Sequence, residues 1–203
     1  MKIKLKNVRA GFQDFFNAKS INGGEPKFTG TFICSDESTI SYAGKDGKSV
    51  VAPHTKLNDL CQHVYTEKFG KVPAKAENWF YNKADGSTHR AEYVNDDGEY
   101  WAGFDKDTWY VSASKKESMC LDGKMTVVDQ HRKPIAANSG LMRSGVYVNV
   151  ILDVYAYEGQ SGKGLTAALE GVQLLRTGEP IGMTPIDATN EFDDEEMEVD
   201  ENF

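Results

Sequence analysis

The stretch that decides the fold is GVYVNVILDVYAYEGQSGKGLTAALEGVQLLR, residues 145–176. Its first half alternates between an aliphatic set and a second set that includes three tyrosines, Tyr147, Tyr155 and Tyr157. A period of two residues is typical of a β-strand with one face in a core. Residues 159–164 are rich in glycine and predict a turn, after which residues 165–176 return as the second strand of a hairpin.

Three further strands and one helix are predicted on either side of this hairpin. The strands are expected at residues 2–9, 27–34 and 109–114. The first of them carries lysines on one face and aliphatic side chains on the other. Residues 54–69 change to helical spacing, and Gly70 marks the end of that helix.

The segments between these elements predict long loops. Residues 11–24 are interpreted as a loop that carries three phenylalanines, and residues 71–104 are rich in turn signals. About five strands, one helix and long loops indicate a mainly β protein built as a small, partly open barrel. The OB-fold, a five-stranded, partly open Greek-key barrel, is one member of that class.

Charge divides the chain into two parts. The net charge is −8, but nine of the 31 acidic residues lie in residues 187–203, which contain no Lys or Arg. Residues 1–186 therefore hold 22 acidic against 23 basic residues. We expect a folded domain at 1–186 and a disordered acidic tail at 187–203. Such an asymmetry favours a protein that works with nucleic acid or with partner proteins.

Outward tyrosines with nearby basic residues suggest a surface for single-stranded nucleic acid. Aromatic rings stack on bases, each stack contributing about 1–3 kcal/mol, and cations follow the phosphates. The alternative is that the helix or a loop packs over the tyrosines. The predicted DNA contacts are Lys4, Lys6, Arg9, Phe12, Lys27, Tyr110, Lys115, Lys116, Arg132, Lys133, Arg143, Tyr147, Tyr155, Tyr157 and Lys163.

The acidic tail suggests two roles. A tethered polyanion competes with DNA for the protein's own cationic groove. Its aromatic and acidic residues also make a docking motif for replication or recombination proteins. The residues predicted to bind partners are Phe192, Asp193, Asp194, Glu195, Glu196 and Phe203. The alternative is a solubilising tail with no partner.

Several segments of the body have a familiar order and spacing. They are residues 4–9 with Phe12, and residues 23–33, 109–114, 127–135, 144–149 and 171–179, followed by the acidic tail. In these segments the chain resembles a bacteriophage family of single-stranded DNA-binding proteins built on an OB-fold. The resemblance implies sequence-independent coating of single-stranded DNA in phage replication, recombination and repair, in the cytoplasm of the infected bacterium. It leaves open whether the protein forms a homodimer or assembles cooperatively on DNA.

Two other functions remain as alternatives. One is a protein–protein adaptor of the replication machinery, which would use the tyrosine face for a protein partner. The other is a Mg²⁺-dependent nuclease that uses Asp105 and Asp107, although DKDTW more readily forms a turn before a strand. The four histidines lack metal-ligand spacing with the cysteines, so we expect no cofactor, no metal and no catalysis. Free cysteines and the lack of a secretory signal or membrane span favour a soluble cytoplasmic protein.

Overall fold

The computed structural model describes residues 1–20, 22–71, 80–87, 92–160 and 162–181. In this part of the chain, nine strands belong to one sheet, and one α-helix follows the fourth strand. No helix there is long and apolar enough to cross a membrane. The elements are β1 (Lys2–Lys19), β2 (Lys27–Cys34), β3 (Thr39–Ala43), β4 (Ser49–Pro53), α1 (Leu57–Phe69), β5 (Tyr81–Lys83), β6 (Trp109–Lys116), β7 (Val127–Val128), β8 (Tyr147–Gly159) and β9 (Gly162–Arg176).

Five of these strands close a ring in the order β1–β2–β6–β9–β8 and back to β1. Every pairing is antiparallel except β6–β9, which is parallel and is joined through a single residue pair, Ser114 with Ala168. That seam makes the barrel only partly closed. The mainly β, OB-type fold class predicted from the sequence is confirmed, and the remaining strands attach to the ring.

β1 is long, bends twice and pairs with three neighbouring strands. Its first half pairs with β3 and β8, and its second half pairs with β2. Register shifts occur where Asn7 and Phe12 adopt positive φ angles of 53° and 48°. The prediction of a loop at residues 11–24 was therefore wrong for residues 11–19, which belong to β1. Phe15 lies in the core on this strand and stacks on Phe32, and the bulges hide the period of two.

The other elements follow the predicted pattern closely. β2 has the predicted bounds, and the β8–β9 hairpin forms with its aliphatic row buried and its tyrosine row outward. The helix begins at Leu57, after a short 3₁₀ turn, and ends at Gly70, where φ is 73°. The β3–β4 hairpin was not predicted.

A second, smaller core lies outside the barrel, on the outer face of β2 and β6. It contains Ile33, Ala84, Phe104, Tyr110 and Ile181. Residues 177–181 follow β9, and we call them the strap. They place the side chain of Ile181 in this second core. The strap passes so close to Gly145 that a Cβ there would lie 1.8 Å from the carbonyl oxygen of Glu179.

Candidate nucleic-acid interface

Two exposed rings stand beside the second core. Phe12 and Trp101 are 43% and 45% exposed, and their ring centroids lie 5.2 Å apart. We call this pair the aromatic platform. Beneath it, Tyr93 stacks on Phe104 with centroids 4.3 Å apart, so the platform rests on packed rings. The bulge in β1 that contains Phe12 places its ring outside the barrel.

The outer face of β2 and β6 next to the platform carries small hydroxyl side chains. Alternate residues of both strands enter the barrel core, so the intervening ones face outward. Two of the outward pairs are Thr29 with Ser114 and Thr31 with Ser112. Thr31 is itself buried, whereas Thr29, Ser112 and Ser114 are half-buried, so three short side chains leave room for a strand of DNA and offer hydroxyl groups.

Lysines lie at the end of this face, where Lys27 pairs with Lys116. Lys116 forms an ion pair of 2.7 Å with Glu25, whose pKa is lowered by hydrogen bonds from Lys116 and Ser118. The same hydrogen bond raises the pKa of Lys116, with a smaller contribution from the nearby Tyr155 phenol. Tyr155 is 46% exposed. The end of this face therefore combines an exposed ring, Tyr155, with two cations, Lys27 and Lys116.

The tip of the β8–β9 hairpin is partly occupied by its own contacts. Tyr157 lies across Gly164, where an added Cβ would come within 2.8 Å of the phenol oxygen. The ammonium of Lys163 lies 4.7 Å from the ring centroid of Phe69 and 3.7 Å from a carboxylate oxygen of Glu158. Tyr157 and Lys163, which were both predicted to contact DNA, therefore already have contacts within the protein.

Tyr147 lies between two arginines on the outer face of β8. The guanidinium carbon of Arg176 is 3.3 Å from the ring centroid, and that of Arg9 is 5.9 Å away. Arg9 also donates a hydrogen bond of 2.7 Å to the carbonyl oxygen of Glu179 in the strap. Arg176, which is exposed, is thus presented to a ligand more than Tyr147 is, whereas Arg9 is half-buried. Sequence reasoning missed Arg176, because only the strand register reveals it opposite Tyr147.

Two predicted contacts need correction. Tyr110 is fully buried in the second core, so its ring cannot stack on a base, and that prediction was wrong. The side chain of Lys115 is only 15% exposed and pairs with Glu170 at 2.5 Å. Its charge is already balanced, so we withdraw it from the interface.

The remaining predicted cations do not converge on the platform. Lys4 and Arg132 belong to a different face, made by β1, β8 and β9, and Lys133 follows Arg132 in the turn that Asp129 closes. Lys6 is half-buried beside β3, and Arg143 is exposed in the turn that precedes β8. Sequence reasoning did not assign Trp101 as a DNA contact. Its exposed ring lies beside Phe12, where it can stack on a base.

The tail residues predicted to bind partners, Phe192–Glu196 and Phe203, lie outside the described residues, as does the domain boundary at 186. The last described residue is Ile181, whose side chain packs beside Gly11 and Gly103. These glycines are neighbours of the aromatic platform in the chain. The polypeptide therefore leaves the described structure at the foot of the platform.

The carboxylates considered for a nuclease lie in a turn, as expected. Thr108 donates its backbone N–H to the carbonyl oxygen of Asp105, and Asp107 forms an ion pair of 2.9 Å with Lys83. Within the ranges that the structure describes, no three His, Cys, Asp or Glu side chains are grouped so that they could hold a metal ion.

Comparison with known proteins identifies relatives. The family model of the single-stranded DNA-binding protein of Enterobacter phage Enc34 matches residues 1–203. Protein p50 of Acyrthosiphon pisum secondary endosymbiont phage 1 is 30% identical over 204 residues, covering 100% of this chain and 98% of p50. The resemblance stated from the sequence is therefore confirmed.

Solved structures show the same fold at low sequence identity. The single-stranded DNA-binding protein from bacteriophage Enc34 in complex with single-stranded DNA aligns with a TM-score of 0.62 and 17% identity, over 89% of each chain. The single-stranded DNA-binding protein gp2.5 of bacteriophage T7 aligns with a TM-score of 0.54 and 12% identity, over 100% of this chain and 97% of gp2.5.

Proposed function

Because the chain belongs to the Enc34 family of phage single-stranded DNA-binding proteins, we propose that it binds single-stranded DNA on the outer face of β1, β2 and β6. The observation that carries this proposal is the exposed pair Phe12 and Trp101 beside a face of small hydroxyl side chains. OB-folds bind oligonucleotides on the corresponding face. Because every base has a π-face, stacking on rings gives affinity without sequence preference.

Electrostatics supports the same site. Lys27 and Lys116 lie at one end of the face, and Arg9 lies on β1 near the other. Neither Lys27 nor Arg9 has a carboxylate within 4.0 Å among the described residues, so both are available to phosphates. Binding should therefore weaken as salt rises, since released counterions contribute to its free energy.

The acidic tail completes the proposal. Residues 187–203 begin six positions after Ile181, which packs at the foot of the platform. A tether this short gives the tail a high effective concentration at the site, so it competes with DNA. When DNA displaces it, Phe192, Phe203 and the neighbouring acids become available to replication or recombination proteins. In this way the protein coats and protects single strands during phage replication, recombination and repair.

Substitution of Trp101 tests the site. Trp101→Ala should weaken binding to oligo-dT by about 1–3 kcal/mol, the worth of one stacked base. Trp101→Phe keeps a ring and should retain most of the affinity, while the quenching of tryptophan fluorescence by DNA decreases. Val51→Ala is the matched control, because Val51 is 63% exposed on β4, away from the platform. Unchanged affinity in Trp101→Ala would contradict the proposed site.

A further inference from the structure

A second cationic surface lies on the face of β1, β8 and β9. There, a groove of about 190 Å³ is lined by Lys4, Arg132, Asn149 and Gln173, with Ile151 and Gly171 in its floor. None of the described residues that line it is acidic. It shares no described lining residue with the aromatic platform, so binding of DNA at the platform does not explain the groove.

The strand register explains the shape of the groove. Lys4 on β1 lies opposite Ile151 on β8, which lies opposite Gly171 on β9. Because Gly171 has no side chain, Ile151 remains 37% exposed although it is flanked on both sides. An apolar spot of this kind next to cations suits a nucleotide, whose base is apolar on its faces and whose phosphate is anionic.

Arg132 is held over the groove by a tightly fastened turn, residues 129–133, which we call the basic turn. The carboxylate of Asp129 accepts backbone hydrogen bonds from Lys133 and His131, at 2.9 and 2.8 Å, and these bonds lower its pKa. Arg132 between them has a φ of 65°. A left-handed conformation of a non-glycine residue costs about 1–2 kcal/mol, so the surrounding structure must hold it.

An amide network fixes the turn to the sheet. The side-chain amide of Gln173 donates to the carbonyl oxygens of Asp129 and Gln130, at 3.3 and 3.4 Å. Asn149 donates to the amide oxygen of Gln173 at 3.1 Å and itself accepts from the backbone of Asn7. The groove is thus preorganised, which reduces the entropy lost when a ligand binds.

The cations of this face are available for an anion. Within the described residues, neither Lys4 nor Arg132 has a carboxylate within 4.0 Å, whereas Lys115 and Lys116 are both paired. The nearest acid on the outward row of β8, Asp153, is bound by the N-terminal ammonium at 2.9 Å.

The groove continues a line of positive charge along β8. Tyr147, with its two arginines, lies on the same outward row as Asn149 and Ile151. At about 3.3 Å per residue, Tyr147 and Ile151 are about 13 Å apart. Arg9 and Arg176 at one end, and Lys4 and Arg132 at the other, are therefore two pairs of cations on one row, which we call the basic stripe.

We infer that this stripe is a second contact for single-stranded DNA, which reaches it after passing the aromatic platform and Arg9. The inference rests on the proposed function and extends it. One strand would lie on two faces of the barrel, with the groove holding a nucleotide whose phosphate contacts Lys4 and Arg132. The footprint would then exceed what the platform face alone occupies.

Oligonucleotide length separates the two contacts. The full-length double variant Lys4→Ala/Arg132→Ala is compared with Lys45→Ala/Lys48→Ala, which removes the same charge from the exposed β3–β4 turn. Each is titrated with oligo-dT of about 6 and about 16 nucleotides, the range that OB-folds occlude. For the groove variant we expect about tenfold weaker binding of the longer oligonucleotide and little change for the shorter. Its salt slope on the longer one should decrease by about 0.7, the value for one lost phosphate contact on a single strand.

Other outcomes would overturn the inference. If the groove variant binds both oligonucleotides equally more weakly, Lys4 and Arg132 belong to the primary site. If it binds neither more weakly, or if the control variant loses the same affinity, the groove does not contact DNA. The Trp101→Ala variant distinguishes the two proposals. If it leaves the short oligonucleotide unaffected while the groove variant weakens the long one, the platform proposal fails and the groove remains. If the unmodified protein binds neither oligonucleotide, both fail.

Discussion

Replacing Gly145 by alanine should detach the strap from the barrel. Gly145 has a φ of 93°, and a Cβ at this position would lie 1.8 Å from the carbonyl oxygen of Glu179 and 3.1 Å from the Cα of Pro180. Both neighbours are backbone atoms, so no side-chain rotation relieves the overlap. The strap itself must move, and it would take Ile181 out of the second core.

The cost can be worked from three contributions. A non-glycine residue at positive φ costs about 1–2 kcal/mol. Exposing Ile181, which is 6% exposed in the folded protein, costs about 1.5–3 kcal/mol. Loss of the hydrogen bond from Arg9 to Glu179 adds about 0.5–1.5 kcal/mol. The free energy of unfolding should therefore decrease by about 3–6.5 kcal/mol, a large part of the stability of an ordinary domain.

Urea unfolding measures this change, and a second glycine provides the control. Gly140 also has a positive φ, 68°, but no atom of the described part of the chain lies within 4 Å of an added Cβ. Gly140→Ala should therefore cost only about 1–2 kcal/mol. Ile181→Ala should cost much less in the Gly145→Ala background than alone, because the side chain has already left the core. Equal costs for the two glycine variants would refute the described packing of the strap.

Three other predictions concern pH, an ion pair and the tail. His54 is buried, with its Nδ1 2.8 Å from the Tyr81 hydroxyl, and burial lowers its pKa below the ordinary value of 6.5. As pH falls, the unfolded state therefore takes up the proton before the folded state does. The free energy of unfolding should decrease as pH falls below 6.5. Urea midpoints at about pH 7.5 and about pH 5.5 should differ less in His54→Gln than in the unmodified protein, and an equal difference would contradict this. Lys115→Ala should lower the free energy of unfolding by about 1 kcal/mol and leave the salt slope of DNA binding unchanged, whereas a smaller slope would return this residue to the interface. Deleting residues 187–203 should tighten DNA binding at low salt and have less effect at high salt, and unchanged affinity in a titration would exclude competition by the tail.

The elements that could be predicted from the sequence are those with an unbroken local period. β8 alternates over its whole length, β9 alternates up to Leu169 and β2 up to Phe32, and α1 has helical spacing up to Gly70. Each such pattern depends on residues a few positions apart. The acidic segment 187–203 was assigned by composition alone and stays a prediction.

The elements that were missed depend on residues far apart in the chain. Two bulges break the period of β1, so its second half looked like a loop. Alternation in β6 places Tyr110 on the outer face but does not say that Phe104 and Ile181 cover it. Lys115 meets a carboxylate 55 residues away in sequence. Exposure of Trp101 likewise depends on how the turn around it packs on the barrel, which no local pattern encodes.

Backbone strain links the two proposed contact surfaces. In the described ranges, five residues other than glycine have a positive φ, and three of them are Asn or Asp, which tolerate that conformation. The other two are Phe12 and Arg132, whose side chains, unlike those of Asn and Asp, are not of the short polar kind that stabilises a positive φ by a local hydrogen bond. One forms the aromatic platform and the other lies over the groove of the basic stripe. Strained residues persist where the surrounding structure fixes them, and they cluster at functional sites. If the conformations served folding alone, glycine at either position would stabilise the protein without weakening DNA binding. We expect instead that Phe12→Gly and Arg132→Gly both weaken binding, the second only for oligonucleotides long enough to reach the groove.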